Sequence, residues 1–188
     1  IITGCSVRGI ETSGGRLSRV ITEKGAISTS TALCAAGAWS SYFCRSLGIS
    51  VPQLKVRGTV ARINTVETKI NGTIFDRQLS IRKRNDGGYT VAHGSTFDHA
   101  ITPSSLKYSK KYLRALINEF SVLKLSIGTD FIDELAAPKH WDLDKKSPFE
   151  MNRVLNPKPN KKTISQIQKK LGEVYPELRN ANIVESWA

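Results

Sequence analysis

Two stretches of this 188-residue chain place side chains or backbone at spacings that suit chemistry. The first is Leu79–Arg84 followed by Tyr89–His93, two strand-like segments joined by Asn85-Asp86-Gly87-Gly88, a polar loop of hairpin length. If Arg84 pairs with Tyr89 across that loop, Arg82 opposes Val91 and Ser80 opposes His93. Alternation then puts Ser80, Arg82, Arg84, Tyr89, Val91 and His93 on one face, with Leu79, Ile81 and Lys83 on the other. A guanidinium fork makes two parallel hydrogen bonds to a carboxylate, so Arg82 beside Tyr89 and His93 reads as a wall for a carboxylate-bearing small molecule. The alternative is an edge hairpin with scattered solvated charges, in which His93 is a structural hydrogen-bonding residue.

The second stretch is Ile27–Ser41. Its short apolar run, Ala32–Ala36, ends in Gly37 and passes into a helical pattern from Ala38 to Leu47. Between strand and helix, glycine lets backbone approach a phosphate or ribose because no Cβ intervenes, and the helix start offers N–H groups. Many α/β proteins carry an Ala-Gly turn without such a ligand, so the pattern alone leaves both readings open.

Other candidates weigh less. Ser40 and Ser41 lack the Gly-x-Ser-x-Gly elbow of a hydrolase nucleophile, and Asp98-His99 reads as a loop pair. Cys5, Cys34 and Cys44 form an odd set without metal-like spacing. Cys34 in a buried-looking strand and Cys44 on a helix suggest reduced, packed thiols and a cytoplasmic setting. The 28 basic against 16 acidic residues give a formal charge of +12, which raises nucleic acid as a partner. The densest clusters are only Arg82-Lys83-Arg84, Lys161-Lys162 and Lys169-Lys170, with no zinc, RNP or helix-turn-helix signature. Solvated surface is therefore preferred, and a basic polyanion-binding module is kept as the competing function class. No apolar run approaches the roughly 20 residues that span a bilayer, which leaves peripheral membrane contact open.

These segments sit in a chain that changes architecture near Pro52. Before it, Val7–Thr12 and Arg16–Thr22 flank Ser13-Gly14-Gly15 as a hairpin, Lys24-Gly25 turns into Ala26–Ser28, and Ala32–Ala36 reads as a strand inside a parallel sheet. The helix that follows puts Trp39, Tyr42, Phe43 and Leu47 at core spacing. After Pro52, Gln53–Val66 is a long strand pattern and the hairpin above extends it into an antiparallel sheet. A helix after Pro103 aligns Leu106, Tyr112, Leu113, Leu116, Ile117 and Phe120 as one apolar stripe. Phe131–Leu135 suggests a short helix and Pro138–Asn160 an irregular connection. Thr163–Gln166 then forms a capping box, and Ala181–Trp187 a final strand.

The order and spacing of several segments resemble the D-amino-acid oxidase (DAO) family of FAD-dependent oxidoreductases. They are Val7–Arg16, Glu23–Ile27, Cys34–Ser40, Leu54–Arg62, Ile81–Ala92, Ser147–Leu155 and Val184–Ala188. The resemblance implies an α+β fold, a remnant of an FAD-binding domain over residues 1–48 and a substrate domain over 52–135. Residues 136–188 would lead back toward the FAD side. It implies that Val7 meets the adenine through its backbone, and that Ala35, Ala36, Gly37 and Trp39 form a second FAD-contacting turn. Arg82, Tyr89 and His93 would then serve an amino-acid or related amine substrate that passes hydride from Cα to the flavin. The pyrophosphate-binding Gly-x-Gly-x-x-Gly and the closing glycine-rich segment would lie upstream of Ile1 and beyond Ala188. The isolated chain is accordingly expected to be colourless and inactive, and a non-catalytic remnant remains the third alternative.

Overall fold

The computed structural model describes residues 1–64 and 67–188. The fold is α+β, as expected, and divides into two compact units that do not follow three consecutive segments. The first comprises Ile1–Lys55, Thr102–Tyr108 and Thr129–Leu155, the second Val56–Ile101, Ser109–Gly128 and Asn156–Ala188.

In the first unit, β1 (Val7–Ser13), β2 (Arg16–Thr22) and β3 (Gly25–Ser28) make an antiparallel meander in that order. Ala32–Ala36 forms no regular element and has no ladder partner among the described residues, and Leu33 is 91% exposed. The expected parallel strand fails for a simple reason: a strand exists through neighbours, and β1–β3 pair only with one another. Cys34 is consequently exposed, where a buried thiol was expected.

The helix α1 (Ser40–Ser46) begins later than its pattern, because Gly37–Trp39 is a 3₁₀ turn entered through Gly37 at φ +54°. That left-handed conformation is open to glycine and strained for other residues. Helix α2 (Pro103–Glu119) gives the first unit its residues up to Tyr108 and the second unit the rest; Tyr108 is buried, its hydroxyl 2.9 Å from Ser50 Oγ. The predicted stripe is largely outward: Leu106, Leu113, Ile117 and Phe120 are exposed. Helices α3 (Thr129–Ala136) and α4 (Pro148–Met151) complete the first unit, the latter inside the stretch expected to be irregular. Its Ser147–Glu150 pair is a true capping box.

The second unit is an antiparallel sheet under a helix. Strands β4 (Val60–Ile63), β5 (Thr73–Ile74), β6 (Ser80–Lys83) and β7 (Tyr89–Ala92) are joined by β10 (Ile183–Trp187) in the order β10-β4-β7-β6-β5. Only Val60–Ile63 of the long strand pattern Gln53–Val66 is regular; Arg57 makes an isolated bridge to Asp98, and residues 65–66 lie outside the described residues. Strands β8 (Phe97–Ala100) and β9 (Leu123–Ser126) pair in parallel, so Asp98 and His99 belong to a strand and are buried.

Helix α5 (Lys161–Val174) seals one sheet face with Ile167 and Leu171 against Ala61, Ile63, Leu79, Ile81, Tyr89 and Val91. Its N-cap is Asn160, whose Oδ1 accepts from Lys162 and Thr163 N–H, so the helix starts ahead of the expected Thr163 box. The tail expected to return toward the cofactor side thus supplies α5 and β10 to this sheet.

Candidate functional site

A cavity of about 700 Å³ opens in the first unit, walled by Val7, Ala35, Ala36 and Trp39 together with Phe43 and Leu47. Four of the five expected cofactor-side residues therefore share one concavity. The fifth, Gly37, sets the turn that brings Ala36 and Trp39 to the wall. Gln53 holds that turn. Its Nε2 donates to Gly37 O at 3.0 Å, and its Oε1 accepts from Ser41 N–H at 3.1 Å. One helix-start N–H is thus already satisfied from within the chain, which narrows the expectation of N–H groups available to a phosphate. Nothing in the sequence around Gln53 distinguishes it from a surface glutamine.

Two ion pairs brace the same unit. Arg153, on the cavity wall, reaches Glu23 through Nη1 at 2.8 Å and Nη2 at 2.5 Å, and Ser6 N–H donates to Glu23 Oε1 at 2.8 Å. The Arg153 hydrogen bonds, followed by the Ser6 backbone bond, lower the Glu23 carboxyl to about 2. Arg8 grips Glu150 with Nε at 2.8 Å and Nη2 at 3.1 Å, while Glu150 also accepts from Ser147 N–H at 2.9 Å. Led by the Arg8 bonds, these hold Glu150 at about 2 as well.

Trp141 Nε1 donates to Arg8 O at 2.7 Å, and Trp141, Tyr42 and Phe43 gather around Phe149 at ring distances of 5.5–5.9 Å. Partners separated by 130 and 142 positions leave no local pattern, so sequence reasoning could not find them.

On the second unit the expected trio is not assembled. The hairpin pairs Lys83 with Tyr89, Arg82 with Thr90 and Ile81 with Val91, one residue off the predicted register. The loop explains the slip. Arg84 N–H donates to Gly88 O, Gly87 N–H to Arg84 O, and Gly87 sits at φ +82°, leaving a three-residue loop that ends in a glycine bulge. Asp86 Oδ1 accepts from Gly88 N–H at 3.1 Å and fixes it.

Tyr89 therefore faces the core with Ile81 and Val91, 1% exposed, its hydroxyl donating to Ile70 O at 3.1 Å. His93 follows β7 in a turn, with Nδ1 3.1 Å from Thr96 Oγ1 and 3.4 Å from Ser95 N. Burial, then Lys170 and Lys124, depresses its pKa. These contacts favour its structural reading.

Arg82 lies on the opposite, open face in a cross-strand row with Thr90, Arg62 and Glu185. Arg62 is held by Asp86 at 3.1 Å and Glu185 at 3.7 Å, and Arg84 by Asp86 at 3.1 Å. Among the described residues Arg82 alone of these three has no ion pair, which leaves its fork available to an anion. Among the same residues no cluster of His, Cys, Asp or Glu suits a metal ion.

A family model described as FAD dependent oxidoreductase (DAO) matches residues 1–188. The chain is 29% identical over 96 residues to the glycine oxidase of Pseudomonas putida, which covers 51% of this chain and 26% of that enzyme. It superimposes on the L-amino acid deaminase of Proteus myxofaciens, solved in complex with anthranilate, with a TM-score of 0.89 and 34% identity. That alignment covers 97% of this chain and 41% of the deaminase. The L-amino acid deaminase of Proteus vulgaris gives a TM-score of 0.87 at 29% identity, over 97% of this chain and 43% of that one. The chain thus spans less than half the length of each of these relatives.

Proposed function

This chain belongs to the DAO family of FAD-dependent oxidoreductases, and on that premise we propose that it is the cofactor-wall and substrate-sheet portion of a flavoenzyme oxidising an amino acid. The observation that carries the reading is the first-unit cavity, where Val7, Ala35, Ala36 and Trp39 meet around a turn only glycine enters easily. Its apolar walls and accessible backbone fit the adenosine half of FAD. Arg153 is committed to Glu23, so it does not offer its fork to the pyrophosphate. When bound, FAD accepts hydride from the substrate Cα.

The chain's own contribution on the substrate side is position. Arg82 offers its fork to the carboxylate on the open sheet face, beside the Thr90 hydroxyl. Holding the carboxylate there aims the Cα–H bond, and orientation of this kind is a large part of the rate. Glycine and the substrates of an L-amino acid deaminase share an amine and a carboxylate, and so does the anthranilate bound to one relative. Three free thiols fit a reducing compartment such as the cytoplasm. Among the described residues no helix is long and apolar enough to cross a membrane.

The test uses the full-length, FAD-loaded protein. Ala36→Trp, which fills the cavity, should abolish stoichiometric flavin absorbance while folding is retained by circular dichroism. Arg82→Ala should keep the flavin and raise KM for a carboxylate-bearing substrate by about tenfold or more, with Arg82→Lys intermediate. A flavin-loaded Ala36→Trp protein would remove the cavity from the cofactor site, and unchanged kinetics in Arg82→Ala would remove that residue from the substrate site.

A further inference from the structure

The open face of the second-unit sheet carries more cations than one substrate carboxylate needs. Thr90 of β7 lies between Arg82 of β6 and Arg62 of β4 in one cross-strand row, and Glu185 of β10 follows Arg62. The two arginines stand two strands apart, about 10 Å at the backbone, a gap their long side chains can close on a short diacid. Arg84 sits at the end of the same strand and donates through Nη1 to Thr90 Oγ1 at 3.3 Å. By themselves, three guanidinium groups on one face would suit a substrate with two carboxylates.

Asp86 changes that balance. Its Oδ2 lies 3.1 Å from Arg62 Nη2 and 3.1 Å from Arg84 Nε, while its Oδ1 accepts from Gly88 N–H at 3.1 Å. One carboxylate, fixed by the loop backbone, thus engages two of the three guanidinium groups. Glu185 takes Arg62 from the other side at 3.7 Å. Three cations and two anions leave one net positive charge, on Arg82. A first substrate carboxylate neutralises it. A second would face Asp86 and Glu185 without a free cation, or would have to displace Asp86 from an arginine.

We propose that Asp86 is a specificity-determining residue: it restricts the open sheet face to substrates with a single carboxylate and turns away those with an acidic side chain. The role rests on Arg82 as the carboxylate contact. About a third of each of the Asp86, Arg62 and Arg84 side chains is exposed, so water screens the repulsion. The discrimination is accordingly about fivefold to tenfold and not absolute. Glu185, at the longer distance and 62% exposed, contributes less.

The experiment is calorimetric titration of the full-length, FAD-loaded protein with glutarate and with its monoamide, glutaramate, a pair of similar size that differs by one charge. The wild type should bind glutaramate about fivefold or more tighter. Asp86→Asn should tighten glutarate by a similar factor and leave glutaramate within about twofold. Arg62→Gln added to Asp86→Asn should remove the gain. Glu185→Gln, which does not touch the loop, should give a smaller gain and carries the test if Asp86→Asn misfolds. An unchanged ratio of the two affinities in every folded variant overturns the proposal. So does a wild-type preference for glutarate, or failure of both ligands to bind. Arg82→Ala separates the two readings: it should weaken both ligands, and if it weakens neither, the substrate assignment of Arg82 itself fails.

Discussion

The second unit buries ten apolar side chains in one cluster between α5 and its sheet, and none of them comes from the first unit. The first unit relies on polar ties that span the sequence, Arg8–Glu150 and Arg153–Glu23, with a half-buried aromatic group around Phe149. Stability that comes from apolar burial involves no titrating group of its own. A unit braced by carboxylate–guanidinium pairs is sensitive to pH and salt. The contrast matches the roles proposed above, since a cavity open enough for a ligand cannot also be a filled core.

The sharpest test of this contrast is Leu171→Ala. It should cost the second unit about 2–5 kcal/mol through lost burial and a residual cavity. Followed by urea titration, the Trp187 signal should shift far more than that of Trp39 and Trp141, which report on the first unit. Coincident shifts of equal size would show that the units do not melt separately.

Acid should reverse the order. Glu23 and Glu150 titrate near 2 in the folded chain against an ordinary 4.5. A depressed carboxylate contributes stability fully present above its unfolded pKa. That contribution is lost as pH falls from about 4.5 to about 2. The first unit should weaken across that window, and Glu150→Gln should flatten the pH dependence while lowering stability at neutral pH. Unchanged acid sensitivity in Glu150→Gln would mean that the Arg8 pair does not brace this unit.

Smaller effects refine the second unit. Asn160→Ala removes the α5 cap and should cost about 1 kcal/mol, read from thermal or denaturant melts. Tyr89→Phe removes the hydroxyl bonded to Ile70 O and should cost about 1 kcal/mol while leaving substrate KM unchanged. A raised KM in Tyr89→Phe would return that residue to the site.

The sequence made the meander, the hairpin strands and both main helices legible because each is encoded locally, by Ser13-Gly14-Gly15, by alternation in Tyr89–Ala92 and by the spacing of Ile167 and Leu171. The turn at Gly37 was legible for the same reason. Three departures have two origins. Asn85–Gly88 reads as a four-residue loop, but the bulge at Gly87 leaves three, which sends Tyr89 into the core. The stripe on α2 and the run Ala32–Ala36 have the composition of buried elements, but burial requires a covering partner that periodicity cannot supply. The braces at Glu23, Gln53 and Glu150 were invisible because their meaning lies in partners distant along the chain.

The unpaired run Ala32–Ala36 has a practical consequence for handling the protein. Its backbone amides should exchange with deuterium far ahead of those in β1 and β2, and a protease of broad specificity should cut there first. The same run exposes the apolar side chain of Leu33, so concentrated solutions of this chain invite apolar contact between copies. Low protein concentration, or a charged substitution such as Leu33→Lys, is the direct remedy.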